Sequence, residues 1–433
     1  MIGIELLIVL GAIYLGARIG SIGIGFAGGL GVLVLTLGLG LTPGTIPIEV
    51  ILIIMSVITA IAAMQLAGGM DYLVSLAERL LRRHPRYITF LAPLVTYLMT
   101  LFAGTGHTAF STLPVIAEVA KEQGIRPARP LSIAVVASQV AITASPISAA
   151  VVFFSGILEP LGVDYLTLLA ICIPSTFAAC MIGALVANVL GLPLEQDPVY
   201  QARLAAGRVR LRGQNHIEIR DGARRSVLIF LLAIAAVVLY ATAISDKVGL
   251  IPNPVLPRDA AIMIFMLTAA GAITLGCRLD AAAIPNMATF KSGMSACVCV
   301  LGVAWLGDTF VSNHIEEIKS FAGGLLETYS WLLAVTLFFA SMLLYSQGAT
   351  TKALMPAALA IGVDPLTAVA SFAAVSALFV LPTYPTLLAA VEMDDTGSTR
   401  IGKAVFNHPF FIPGVVTIAA SVALGFAIGG LLL

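Results

Sequence analysis

Charge is what this chain has least of: 11% of its 433 residues are Asp, Glu, Lys or Arg, against 59% hydrophobic. Soluble domains carry about 25% charged residues, and a water-soluble protein of this length could not cover itself with so little polar surface. A mean hydropathy of +1.03 points to a membrane protein instead. Lys plus Arg (23) equals Asp plus Glu (23), so no net positive charge is present to hold nucleic acid. Cysteine is also rare, and Cys172, Cys180, Cys277, Cys297 and Cys299 all sit in apolar segments. Cys297-Val298-Cys299 has the wrong spacing for zinc and no His or Asp cluster supports it, so the cysteines read as small packing residues and no metal is expected. No Ser-His-Asp spacing and no nucleotide loop is present, which argues against an enzyme, a cofactor or an ATP-driven pump. The first apolar stretch has no basic n-region and reads as a retained helix, not a cleaved signal.

What the chain does have is long apolar runs. A spanning helix needs about 20 mainly apolar residues, and suitable segments fall near 2–17, 20–41, 46–66, 130–158, 165–190, 226–245, 259–277, 289–306, 365–391 and 410–432. The fold class is therefore all-α integral membrane with about ten transmembrane helices. Between 87 and 120, and again between 330 and 360, small polar residues interrupt the apolar chain. Each region reads as two short helices forming a re-entrant hairpin, an arrangement tolerated only where protein or a cavity shields the backbone. The segments 70–84 and 308–325 are amphipathic and read as interfacial arms.

The polar stretch 191–225 holds seven arginines against four acids. Its basic excess places it in the cytoplasm. Counting outward puts the basic loops near 79–86 and 121–129 inside, Asp308, Glu316 and Glu317 outside, and both termini on the periplasmic side. A solvated, orientation-setting loop is the expected role of 191–225, with a docking surface as the alternative.

The chain repeats itself weakly on either side of that loop. Gly106-His107-Thr108 precedes Leu113-Pro114 at the spacing by which Gly348-Ala349-Thr350 precedes Met355-Pro356. Pro130-Leu131-Ser132 then matches Pro365-Leu366-Thr367. Residues 1–190 and 226–433 thus read as two inverted-topology repeats, each with three spans, an arm, a hairpin, a broken span (130–158 or 365–391) and a final span. In such folds the substrate site lies near the midplane, where discontinuous helices meet.

Four polar clusters mark those breaks: Thr105, Gly106, His107 and Thr108; Gln347, Gly348, Thr350, Thr351 and Lys352; Thr143, Ser145, Pro146 and Ser148; and Pro382, Thr383, Tyr384, Pro385 and Thr386. Proline and glycine free backbone groups at helix ends, half-helix N-termini attract carboxylates, and hydroxyls add neutral donors. His107 could carry a proton or merely pack a tip. Lys352 could meet a substrate carboxylate or snorkel to the surface. Gln139 is a further polar residue in the first broken span, while Glu118, Glu392, Asp394 and Asp395 read as interfacial.

These clusters, with the segments 104–124, 141–151, 304–313, 381–386, 393–397 and 407–411, closely resemble the anaerobic C4-dicarboxylate transporter (Dcu) family over essentially the whole chain. The resemblance is to the A-type: Thr386-Leu387 stands where B-type members have Ser-Asp, and Lys352 is a residue they lack. It implies exchange or uptake of aspartate, fumarate, malate or succinate across the bacterial inner membrane, by movement of a transport domain against a scaffold. It further implies a possible homodimer in contact with membrane lipid. Sodium coupling does not carry over, because the hairpin Ser-Asn-Thr motifs of related ion transporters are missing. An anion channel and a membrane-embedded sensor are the alternatives.

Overall fold

The computed structural model describes every residue except 1, 20–21, 47, 210–218, 245–249, 315, 318–328, 330, 345, 382–383 and 404–405, and among the described residues all regular structure is helical. Apolar runs form α1 (Ile2–Ile19), α2 (Gly23–Leu33, continued by a π turn over Val34–Gly38) and α3 (Ile48–Leu66). The chain then bends by 73° into the amphipathic α4 (Gly69–Arg83). Asp71 in its first turn and Arg82 and Arg83 in its last suit the helix dipole, and Val74, Ala77 and Leu81 face inward. The first polar-tipped region follows as α5 (Ile88–Ala103), a 3₁₀ turn (Gly106–Ser111) and α6 (Leu113–Glu122). The first broken span is α7 (Ala128–Val140), a 3₁₀ turn (Ala141–Ala144), extended backbone at Ser145 and Ser148, and α8 (Ala149–Leu158). Next come α9 (Tyr165–Val189) and the short α10 (Pro198–Ala205).

Beyond the central loop lie α11 (Ala223–Ala243), α12 (Arg258–Gly276) and α13 (Ala288–Asn313). Then come α14 (Leu332–Leu344), α15 (Gln347–Ala360) and α16 (Pro365–Ser371), the last continued by a 3₁₀ stretch over Phe372–Phe379. The chain closes with α17 (Pro385–Met393) and α18 (Phe411–Leu432).

Seven helical runs among the described residues are long and apolar enough to cross a membrane, or eight if the bent α3–α4 pair counts as one. The protein is multi-pass, and shorter apolar helical runs at Ile2–Gly16, Gly25–Gly38, Leu332–Met342 and Pro365–Phe379 stand beside these. Of the segments expected at 2–17, 20–41 and 365–391, the first lies within the 18-residue α1, and the other two hold shorter helices. A π turn ends the second, and non-helical backbone at Ser376 and Ala377 interrupts the third. Conversely, the first hairpin arm is not too short: a 3₁₀ turn at Pro85–Tyr87 extends α5 to a 19-residue run. α13 also continues to Asn313, past the expected end at 306; of the arm expected over 308–325, residues 315 and 318–325 lie outside the described residues.

Burial places the broken spans at the centre. α7 from Pro130 onward and all of Phe372–Phe379 are buried, so their irregular backbone is shielded from lipid. α9 and α18 lie side by side against them, α5 packs on α7, and α14 packs on the 372–379 stretch. The outer helices keep large apolar residues turned outward, such as Leu7, Leu239 and Leu275. α13 packs on α2 and α3, and its approach to α2 requires glycine. A Cβ added to Gly302 would lie 2.0 Å from the Gly25 carbonyl oxygen.

The central loop is only partly a solvated connection. Asp197, just before α10, is 1% exposed and pairs with Arg126 at 2.6 Å and Arg400 at 2.9 Å. Arg203 of α10 donates to the Asp395 carbonyl at 3.1 Å. Burial pushes the Asp197 carboxyl upward, but the Arg400 hydrogen bond, the Val199 N–H and the Arg126 charge outweigh it and hold the group below the ordinary aspartate range. The start of the loop is therefore clamped onto the α6–α7 corner and onto the turn after α17.

Candidate functional site

The first tip is seated on the first break by short-range geometry. Gly104 ends α5 with φ +67°, and a side chain there would press on Ile147. A Cβ on Gly106 would lie 2.9 Å from the Ser138 carbonyl, so the tip rests directly on the backbone of α7. The Ser145 hydroxyl, inside the break, donates to the Leu101 carbonyl at 2.7 Å. Thr108 shares hydrogen bonds with Thr100 (3.3 Å) and the Thr105 carbonyl (3.2 Å). The His107 side chain lies outside the described residues.

The second tip meets the same break from the other side. Ser346 caps α15 by accepting from the Ala349 N–H at 3.2 Å, and Ser148 caps α8 by accepting from the Val151 N–H at 3.2 Å. The two capped ends adjoin, since a Cβ on Gly348 would sit 4.0 Å from the Ala149 Cβ. Two half-helix N-termini, each with unsatisfied opening amides, therefore converge within the buried centre. α17, with Tyr384 before it and Pro385 in its first turn, packs against the 106–111 turn and α6. Pro382 and Thr383 lie outside the described residues.

Gln139 ties these parts together. Its side-chain amide donates to the Thr386 hydroxyl at 3.4 Å, and its backbone carbonyl accepts from the Gln347 amide at 3.1 Å. Its Oε1 is buried with no hydrogen-bond partner among the described residues. The sequence reading left Gln139 outside the candidate site. The signal was a lone amide in an apolar broken span, whose partners lie more than two hundred residues away.

The hydroxyls have a different role from the one expected of them. Those of Thr143, Ser148, Thr350 and Thr351 donate to the carbonyls of Val140, Ile142, Ser346 and Gln347 at 2.7–2.8 Å. A hydroxyl whose proton is committed to its own backbone can only accept, which does not suit a carboxylate. The Pro146 carbonyl is occupied by the Tyr165 hydroxyl. Donors that remain for an anion among the described residues include the opening amides of α8 and α15, the Thr386 hydroxyl, the side-chain amides and Lys352. Lys352 does not reach the surface. It is 7% exposed, its Nζ has no hydrogen-bond partner among the described residues, and it lies 5.9 Å from the centroid of the Phe153 ring.

No group of three or more His, Cys, Asp or Glu that could hold a metal occurs among the described residues. The fold resembles the YdaH transporter of Alcanivorax borkumensis, with a TM-score of 0.57 at 14% identity over 98% of this chain and 97% of that one. By sequence, the chain is 70% identical to the C4-dicarboxylate transporter DcuA of Wolinella succinogenes and 60% identical to that of Escherichia coli K12, with 100% of each chain covered. An anaerobic C4-dicarboxylate transporter DcuB of Escherichia coli O6:H1 is 37% identical over 98% of this chain and 97% of its own length. The model of one family, described as the anaerobic C4-dicarboxylate membrane transporter, matches residues 1–433. A buried junction of broken helices, free of acids among the described residues and built around helix N-termini, thus sits in a multi-pass protein that belongs to the anaerobic C4-dicarboxylate membrane transporter family, a family of transporters and not of enzymes.

Proposed function

We propose that this transporter exchanges or takes up C4-dicarboxylates (aspartate, fumarate, malate or succinate) across the bacterial inner membrane, and that the junction of the two tips and two broken spans is the substrate site. The observation that carries the reading is the meeting of the α8 and α15 N-termini, which offers one carboxylate a set of backbone amides. The second carboxylate would fall toward α6 and α17, which pack on each other and on the 106–111 turn. Gln139, Gln347 and Thr386 would line the space between, with Lys352 as a counter-charge. Thr105, His107, Pro382 and Thr383 belong to the same tips and break and remain candidates for contact.

Transport would proceed by an elevator-like alternation of two inverted repeats, 1–190 and 226–433, with the loop after α10 cytoplasmic and both termini periplasmic. The packing supports this arrangement. α1 lies on α2 as α11 lies on α12, α2 meets α13 as α12 meets α3, and α7 meets α9 as α16 meets α18. Hairpins and broken spans would move as one body against the α1–α3 and α11–α13 helices, with α4 as one hinge and lipid along the outer apolar faces. A homodimer joined through the scaffold fits that division.

Counterflow in proteoliposomes tests the function. Vesicles loaded with unlabelled fumarate are expected to accumulate labelled aspartate or fumarate transiently. Failure to exchange any C4 acid would sink the reading, and equal flux with and without internal substrate would favour a channel.

A further inference from the structure

Lys352 lies in the second turn of α15, five residues after Gln347, where no carboxylate or hydrogen-bond acceptor serves its Nζ among the described residues. Beside it lies the Phe153 ring of α8, and α15 packs on α13. α8 and α15 build the central junction, whereas α13 packs on α2 and α3. The next residue on α15, Ala353, abuts that same helix: a Cβ on Gly307 would lie 3.2 Å from the Ala353 Cβ. The ammonium is thus buried at the seam between the broken-helix body and the outer helices. Long side chains on a helix lean toward its N-terminus, so Lys352 leans toward the opening turn of α15.

A cation with a ring face and no hydrogen-bond acceptor beside it among the described residues is poorly compensated, because a ring returns a small part of what lost hydration takes away. We infer that Lys352 makes transport an exchange: the empty site carries an unpaired cation that cannot slide past α13, and a bound substrate carboxylate removes that barrier by pairing with it. The inference rests on the proposed dicarboxylate site and adds what governs its return step. No covalent chemistry is involved. The loaded body moves with its charge paired, and the empty body stays where it released its substrate.

The test compares full-length wild type, Lys352→Arg and Lys352→Gln in proteoliposomes, measuring labelled fumarate entry with and without internal fumarate. Wild type and Lys352→Arg are expected to take up label at least about tenfold faster into loaded vesicles. In Lys352→Gln that ratio should fall to within about threefold of unity, because uptake into empty vesicles rises. An unchanged ratio in Lys352→Gln overturns the inference. So does loss of both fluxes, whether calorimetry finds fumarate binding retained (the lysine then drives movement) or lost (it is then only a ligand). Equal wild-type uptake into loaded and empty vesicles also overturns it while leaving the dicarboxylate reading standing. Absence of any C4-acid flux or binding in wild type removes that reading as well.

Discussion

Where α6, α10 and the turn after α17 meet, buried charges come with opposite charges beside them. Asp197 joins Arg126 and Arg400, Lys121 joins Glu118 and Asp395, and Arg82 joins Glu78 and Glu122, with contacts of 2.6–3.0 Å. The Asp394 carboxylate in the same turn accepts from the Thr396 and Thr399 N–H groups and the Ser398 hydroxyl. At the central junction the pattern is reversed. Polar contacts there run between amides, hydroxyls and carbonyls, and Lys352 has no acid partner among the described residues. Paired charges cost little to keep buried and fix the geometry of a corner, while an unpaired one is costly unless a ligand completes it. The first region holds its charges in fixed pairs, and the second keeps Lys352 without one among the described residues.

The strongest way to break this contrast is to unpair the clamp. Asp197→Asn leaves Arg126 buried without its counter-ion and is expected to destabilise the protein by about 2–3 kcal/mol, below the usual range for a buried pair because Arg400 partly reaches water. Thermal unfolding in detergent measures it. The folded carboxyl sits below its ordinary value, so the clamp contributes fully above that value and is lost only as pH falls through the lower folded one. The gap in melting temperature between wild type and Asp197→Asn should therefore be constant from pH 8 to pH 5 and narrow only in stronger acid.

Gln139→Leu probes the other region. It removes one long hydrogen bond of 3.4 Å but also a buried oxygen with no partner, so stability should change by less than about 1 kcal/mol. Transport should fall at least about tenfold, since the amide aligns the second broken span on the first. A large loss of stability with unchanged transport per folded molecule would assign Gln139 to packing alone.

Thr351→Val should have the smallest effect. Its hydroxyl donates to the Gln347 carbonyl at 2.7 Å within α15 and has no proton to offer a carboxylate. Substrate affinity, read from competition for labelled fumarate entry, should change by less than about threefold. A tenfold loss would restore the hydroxyls as the principal ligands.

Much of the centre is legible in the sequence, because glycine, proline and hydroxyl residues inside apolar runs are physically required wherever a membrane helix stops. Gly104, the Ser145-Pro146 break and Ser346 each stand where a helix ends or a cap forms. What sequence does not reveal is pairing across the chain. Asp197 looks like one acid in a basic loop, and only the fold brings Arg126 and Arg400 to it. The hydroxyls of Thr143, Thr350 and Thr351 look like free donors until the backbone carbonyl a turn earlier is seen to take each proton. Helix length also misleads, because the 3₁₀ turn at Pro85 adds residues to a helix that looks too short.

The most direct test is a structure of the full-length protein with succinate bound. The account predicts one carboxylate on the opening amides of α8 and α15, beside Gly348 and Ala149, with the Lys352 ammonium drawn from the Phe153 ring into hydrogen-bonding distance of it. A carboxylate found away from both helix N-termini, with Lys352 still on the Phe153 face, would contradict it.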